Sequence, residues 1–138
     1  SHGSNFLKTM LRLGQDRPVL RVVDDQTGSP TAASDLADAL VRIALRHLED
    51  AEAPTGTHHF VNAGQTTWCG LAREVFAQVD RNGGSIPVVE AIATADYPTP
   101  ARRPRYSCLS TDTLEIAFGI RPRPWREGIA SILTTLGA

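Results

Sequence analysis

Two guanidinium groups braced by prolines are the first candidates for chemistry in this chain. Arg102 and Arg103 sit in the run Asp96-Tyr97-Pro98-Thr99-Pro100-Ala101-Arg102-Arg103-Pro104. Each proline fixes its backbone φ, which reduces the entropy lost when the segment orders around a ligand. A guanidinium presents a planar fork of donors that matches a phosphate group two oxygens at a time. A solvated basic turn is the other reading, and it is the one given to Arg105. A second donor set opens the chain, where Asn5-Phe6 begins a helical pattern. The amide and the unpaired N–H groups of the first turn can meet an anion while the ring packs beside it. The same two residues also fit a plain N-cap followed by a core Phe. A third set, Gln26, Gly28, Pro30 and Thr31, combines neutral hydrogen-bonding groups with a glycine that admits a ligand to the backbone. A turn ahead of a helix explains it equally well.

Other polar residues offer less. His58 and His59 are adjacent in a predicted strand, so their side chains point to opposite faces and cannot share a metal in the usual way. His2 and His47 have no Cys or carboxylate at ligand spacing, and Asp24-Asp25 reads as a turn. Cys69 and Cys108 lie far apart, fit neither a disulfide framework nor a metal cluster, and are expected to be reduced. No metal site is expected. The chain holds no glycine-rich dinucleotide loop after a strand, no P-loop and no Gly-x-Ser-x-Gly, and neither Tyr97 nor Tyr106 has a Lys four residues downstream. Catalysis by these residues alone is not expected.

The elements that must position these groups follow from periodicity. Phe6, Met10 and Leu13 recur at helical spacing, with an end near Gly14. Pro18 to Val23 reads as a strand feeding the irregular loop of Gln26 to Thr31. From Ser34 a helix carries Leu36, Leu40, Ile43, Ala44 and Leu48 on one stripe, with Asp35 and Asp38 near its positive N-terminus. Thr57 to Asn62 reads as a short buried strand. Thr66 or Thr67 caps a helix with Trp68, Leu71, Ala72, Val75, Phe76 and Val79 on one face, stopping at Asn82-Gly83-Gly84. Ile86 to Ile92 predicts a further strand, and residues 93 to 109 an ordered, irregular loop. A short helix through Phe118 ends at Gly119, and a last helix aligns Trp125, Ile129, Ile132, Leu133 and Leu136.

Length and composition bound the rest. The 138 residues suit one domain, residues 1–138, with 41% hydrophobic and 21% charged side chains, a globular balance. A formal charge of -1, from 14 basic and 15 acidic residues, gives no global field toward nucleic acid or an anionic membrane, so any anion must be bound locally. No apolar run is long enough for a membrane span and the first residues lack a signal pattern, so a cytoplasmic location is expected.

The run Asn5-Phe6-Leu7-Lys8-Thr9-Met10-Leu11-Arg12-Leu13, the run Val22 to Thr31 and Asp35-Leu36-Ala37-Asp38 are similar to dTDP-4-dehydrorhamnose reductases. Gly56-Thr57-His58-His59-Phe60, the helix start Thr66-Thr67-Trp68 and the Tyr97 to Pro104 segment follow in the same order, and the last is the most specific. The resemblance covers essentially the whole chain. It implies an α/β fold: the C-terminal substrate-binding portion of an extended short-chain dehydrogenase, mostly helical with a few short strands and without the Rossmann core. It implies an oxidoreductase that reduces dTDP-4-dehydro-L-rhamnose to dTDP-L-rhamnose with NADPH, the cofactor site and the Tyr-x-x-x-Lys dyad lying outside this chain, which alone is expected to be inactive. It also implies that Asn5 and Phe6 lie beside the nucleotide diphosphate, Arg103 beside its phosphates, and the Gln26 to Thr31 loop along the same cleft.

Some such reductases bridge a dimer with Mg²⁺ through acidic side chains. The corresponding positions here are Ser34 and about Arg126, which puts that metal in doubt. In relatives the Thr57 to Asn62 strand joins the Rossmann sheet at its edge, so the expected partners are a dTDP-sugar and either the missing Rossmann half or another copy of the chain. Two alternatives stay open. One is a non-catalytic regulatory or protein-binding module related to the methionine adenosyltransferase regulatory subunit; the other is a nucleotide-sugar epimerase or dehydratase of the same superfamily.

Overall fold

A computed structural model describes residues 3–81 and 86–137 of the chain. The elements run α1 (Phe6–Asp16), β1 (Val19–Val23), β2 (Thr27–Gly28), α2 (Ala33–Glu49), β3 (Thr66–Thr67), α3 (Trp68–Arg81), β4 (Val88–Ile92), a 3₁₀ turn (Thr94–Asp96), α4 (Asp112–Phe118) and α5 (Trp125–Leu136). Helices dominate and the strands are few and short, as the resemblance implies.

The core lies where three apolar helix faces meet. Leu7 of α1, Leu71 and Val75 of α3, and Trp125, Ile129 and Leu133 of α5 form one buried cluster. A second cluster joins Met10 to Leu20 and Val22 of β1 and to Cys69, Ala72 and Phe76 of α3. β1 pairs with β4 in parallel, Val19 opposite Val88 through Val23 opposite Ile92. Leu20 and Val22 are buried and Val19 and Arg21 exposed, an alternation that matches a two-stranded ladder covered on one face only. The parallel arrangement brings the C-terminal ends of both strands to one edge, and Asp24 N–H closes the ladder onto the Ile92 carbonyl at 2.9 Å.

Several expectations are corrected. α1 continues past Gly14 to Asp16, because Gly14 serves packing: a Cβ there would lie 2.6 Å from the Phe76 ring. The predicted strand from Ile86 begins at Val88, and the proposed stop at residues 82–84 lies outside the described residues. Thr57 to Asn62 forms no strand, since a strand needs a ladder partner and no described segment supplies one. Its stability comes instead from side chains, Phe60 packing toward Ala39 and Leu114 and Asn62 through hydrogen bonds. The stripe on α2 is the largest departure. Only Ala39 of that helix is buried, while Leu36, Leu40, Leu45 and Leu48 are all exposed, Leu48 at 83%. Among the described residues no helix is long and apolar enough to cross a membrane.

A buried polar junction ties α2 to α5. Asn62, at 1% exposure, accepts from Ala32 N–H at 2.8 Å and donates through Nδ2 to Asp35 Oδ2 at 2.7 Å and to the Arg123 carbonyl at 3.2 Å. Arg123 grips both carboxylate oxygens of Asp35, Nε to Oδ2 at 2.8 Å and Nη2 to Oδ1 at 2.7 Å. Gly128 of α5 leaves room for this junction, since a Cβ there would meet that of Ala32 at 3.1 Å. The Arg123 hydrogen bonds outweigh burial and, with the Asn62 bond, hold the Asp35 carboxyl below its ordinary range.

Candidate functional site

Thr27 is the meeting point of three segments far apart in the sequence. Its strand β2 pairs antiparallel with β3, Thr27 opposite Thr67 and Gly28 opposite Thr66. On its other side the proline-rich loop returns: Thr27 N–H donates to the Arg105 carbonyl at 2.8 Å, and Ser107 N–H donates to the Thr27 carbonyl at 2.9 Å. Each segment alone is too short for a stable ladder, so the three hold one another. Gly28 suits this closeness, because a Cβ there would lie 3.0 Å from the Ser107 hydroxyl oxygen and would press it aside.

The result is an open cleft of about 290 Å³ walled by Gln26, Gly28, Pro30, Trp68, Arg103 and Ser107 among others. Two sequence candidates, the Gln26 loop and Arg103, therefore become one site. The Arg103 guanidinium is paired with no carboxylate among the described residues and is left available to an anion. Thr66, Thr67 and Ser107 add hydroxyl groups, and Leu71 and Pro104 apolar surface.

The remaining predicted residues stand behind the walls. Asn5 caps α1, its Oδ1 accepting from Lys8 N–H at 2.9 Å, and does not line the cleft. Phe6 packs against the Trp68 ring, centroids 4.8 Å apart and planes tilted by 51°. It therefore touches the site through Trp68. Thr31 donates its hydroxyl to the Ser29 carbonyl at 3.0 Å and accepts from Asn62 N–H at 3.2 Å, which fixes the loop from outside the cleft. His58 packs edge-on against Phe118, and both of its ring nitrogens are buried without a hydrogen-bond partner.

Trp68, which the sequence places only on one face of α3 and not among the site candidates, is 44% exposed and lines the cleft. Its position immediately after the cap was the available signal. Thr67 Oγ1 accepts from Gly70 N–H at 2.9 Å, so the first residue of the helix emerges beside the Gln26 loop. Trp68 Nε1 donates to Gln26 Oε1 at 3.2 Å, and Gln26 Nε2 donates to Thr94 Oγ1 at 2.9 Å. The Thr94 hydroxyl and its N–H both donate to Asp25 Oδ1. That hydroxyl bond, ahead of any other cause, holds the Asp25 carboxyl below its ordinary range. Asp25 is therefore an ionised acceptor at neutral pH.

The turn after β1 does not fit a dinucleotide, since it offers two carboxylates, Asp24 and Asp25, where a pyrophosphate needs amides and glycine. Nor do the positions considered for Mg²⁺ fit a cation. Ser34 spends its hydroxyl on Asp35 at 3.3 Å, and the Arg126 guanidinium bonds Glu74 at 3.1 Å. Among the described residues no three His, Cys, Asp or Glu side chains cluster to hold a metal.

Comparison with known proteins places this architecture. The family model described as RmlD substrate binding domain matches residues 1–137. The chain is similar to dTDP-4-dehydrorhamnose reductase of Aggregatibacter actinomycetemcomitans, 40% identical over 133 residues that cover 95% of this chain and 45% of that protein. It is 41% identical over 136 residues to the protein of the same name from Sinorhizobium fredii, covering 98% and 46%. Among solved structures it superposes on a dTDP-4-dehydrorhamnose reductase from Clostridium acetobutylicum with a TM-score of 0.88 at 32% identity, covering all of this chain and 46% of that one. The Bacillus anthracis enzyme in complex with NADP matches with a TM-score of 0.84 at 31% identity, covering 98% and 44%. The chain thus spans less than half the length of these relatives.

Proposed function

The chain belongs to the RmlD substrate binding domain family, and from that premise we propose that it is the part of a dTDP-4-dehydrorhamnose reductase that grips the dTDP-sugar. The observation that carries this reading is the convergence of Arg103 and the Gln26 loop on one cleft through the backbone of Thr27. A sugar nucleotide needs a charge-assisted grip on its phosphates and neutral donors and acceptors for its base and hydroxyl groups, and the cleft walls supply both. Gln26, Gly28, Pro30 and Arg103 contact the ligand directly. Asn5, Phe6 and Thr31 act at one remove, by starting α1, backing Trp68 and bracing the loop.

The complete enzyme, on this reading, reduces dTDP-4-dehydro-L-rhamnose to dTDP-L-rhamnose with NADPH, and the dinucleotide and the catalytic dyad belong to polypeptide outside these residues. The exposed stripe of α2 and the unladdered Thr57 to Asn62 segment are the surfaces that this remainder, or a second copy, covers. Titration calorimetry with dTDP tests the proposal. Arg103→Ala is expected to weaken binding roughly tenfold or more, the loss of one charge-assisted phosphate contact. Equal affinity of both proteins would remove the phosphate clamp from the reading.

A further inference from the structure

The side chain of Gln26 is held in one orientation from two independent directions. The indole N–H of Trp68 can only donate, so the atom of Gln26 facing it at 3.2 Å must be the carbonyl oxygen. From the opposite end, Asp25 can only accept, so the single proton of the Thr94 hydroxyl is committed to it. Thr94 Oγ1 is then the acceptor for whatever faces it at 2.9 Å, which must be the amide NH₂ of Gln26. The chemistry of residues on three separate elements thus fixes an amide that would otherwise be free to flip.

That amide lines the cleft with unused capacity, one N–H and one carbonyl lone pair, beside the exposed part of an indole ring backed by Phe6. A flat ring with a locked donor–acceptor pair at its side is the chemistry of a nucleobase reader. A thymine presents a carbonyl next to an N–H along its edge; a cytosine presents a ring acceptor next to an amino donor. A freely flipping amide pairs with either edge, whereas a locked one pairs with only one in a given stacked pose. We infer that Trp68 is the stacking surface for the pyrimidine base of the nucleotide and that Asp25 and Thr94 are positioning residues, locking the Gln26 amide that discriminates thymine from cytosine. The inference rests on the nucleotide-binding reading above and adds the base-reading part of the site.

Affinities for dTDP and dCDP, measured calorimetrically on the 138-residue chain and its variants, test it through their ratio. The unsubstituted chain is expected to prefer dTDP roughly tenfold or more, the cost of leaving a mismatched polar edge unpaired. Trp68→Phe combined with Thr94→Val keeps an aromatic ring but removes both locks, and it is expected to bring the ratio within about threefold. Thr94→Ser restores the hydroxyl and is expected to keep the original ratio. Arg103→Ala is expected to weaken both nucleotides equally and leave the ratio alone. Helical circular dichroism of each variant reports its folding. An unchanged ratio in the double variant, or equal binding of both nucleotides by the unsubstituted chain, overturns the base reader while leaving the phosphate grip intact. An Arg103→Ala variant that binds dTDP as tightly as the unsubstituted chain overturns the underlying site instead.

Discussion

Helices α2 and α5 carry nearly the same signal in the sequence and meet opposite fates in the fold. Each aligns large apolar residues at three- and four-residue spacing, Leu36, Leu40, Ile43 and Leu48 on α2 and Trp125, Ile129, Leu133 and Leu136 on α5. On α5 that face closes the core against α1 and α3, with Trp125, Ile129 and Leu133 buried. On α2 most of it faces outward: Leu36, Leu40 and Leu48 are exposed, Ala39 alone is buried, and Ile43 packs beside it against Leu114 and Ile120. Periodicity states that a helix has a face in want of cover, and it is silent on what provides the cover. α5 finds its cover within the chain, and α2 finds it only around Ala39 and Ile43.

The largest effect expected from this comparison is at Trp125. Trp125→Ala should destabilise the chain by about 3 to 5 kcal/mol, the range for emptying a large aromatic site in a packed core. Leu40→Ala, at a position 57% exposed, should move stability by no more than about 0.5 kcal/mol. Urea unfolding of both variants is the measurement. A cost at Leu40 comparable to that at Trp125 would break the comparison, because it would place α2 under cover in solution.

Much of the fold was legible for the same reason that α5 was. Helix positions followed from stripes and caps, Gly119 ends α4 in the left-handed conformation, with φ of 64°, and Thr67 caps α3 through its hydroxyl. What escaped was everything that depends on a partner distant in sequence. The Thr57 to Asn62 segment has strand-forming residues but no ladder, and propensity does not report whether a neighbour exists. The union of Arg103 with the Gln26 loop rests on main-chain bonds between Thr27 and residues 105 and 107, which carry no side-chain signature. The helical register of Trp68 puts it on the face it shares with Leu71 and Val75, and its place on the cleft rim follows from the pairing of β2 with β3 just before it.

The junction between the two helices sharpens the comparison at intermediate cost. Asp35 stands in the first turn of α2 and Arg123 just before α5, so their pair, with Asn62, is what fastens the weakly buried helix to the well-buried one. Asp35→Asn should cost about 1 to 3 kcal/mol at neutral pH, a figure kept low because the Arg123 side chain is 38% exposed. The pH dependence has a defined sign. Because folding depresses the Asp35 carboxyl pKa, the stabilisation is complete above its unfolded value, about 3.9, and fades as pH falls through the lower folded value. Unfolding midpoints measured from pH 7 down to pH 2 should therefore fall less steeply below about pH 4 in Asp35→Asn than in the unsubstituted chain. Parallel curves would remove Asp35 as the source.

The smallest effect belongs to the tip of the exposed stripe. Leu48 is 83% exposed, so Leu48→Lys gives up almost no buried surface, and a lysine near the C-terminal end of α2 lies favourably toward the negative pole of the helix. Both points predict a shift in the urea midpoint equivalent to less than about 0.5 kcal/mol in either direction. The same substitution on α5, at Leu133, would bury an unpaired ammonium and should prevent folding. If Leu48→Lys were instead destabilising to the extent of a core change in this chain, a second molecule would already be seated on α2, and sedimentation at increasing protein concentration would show the association directly.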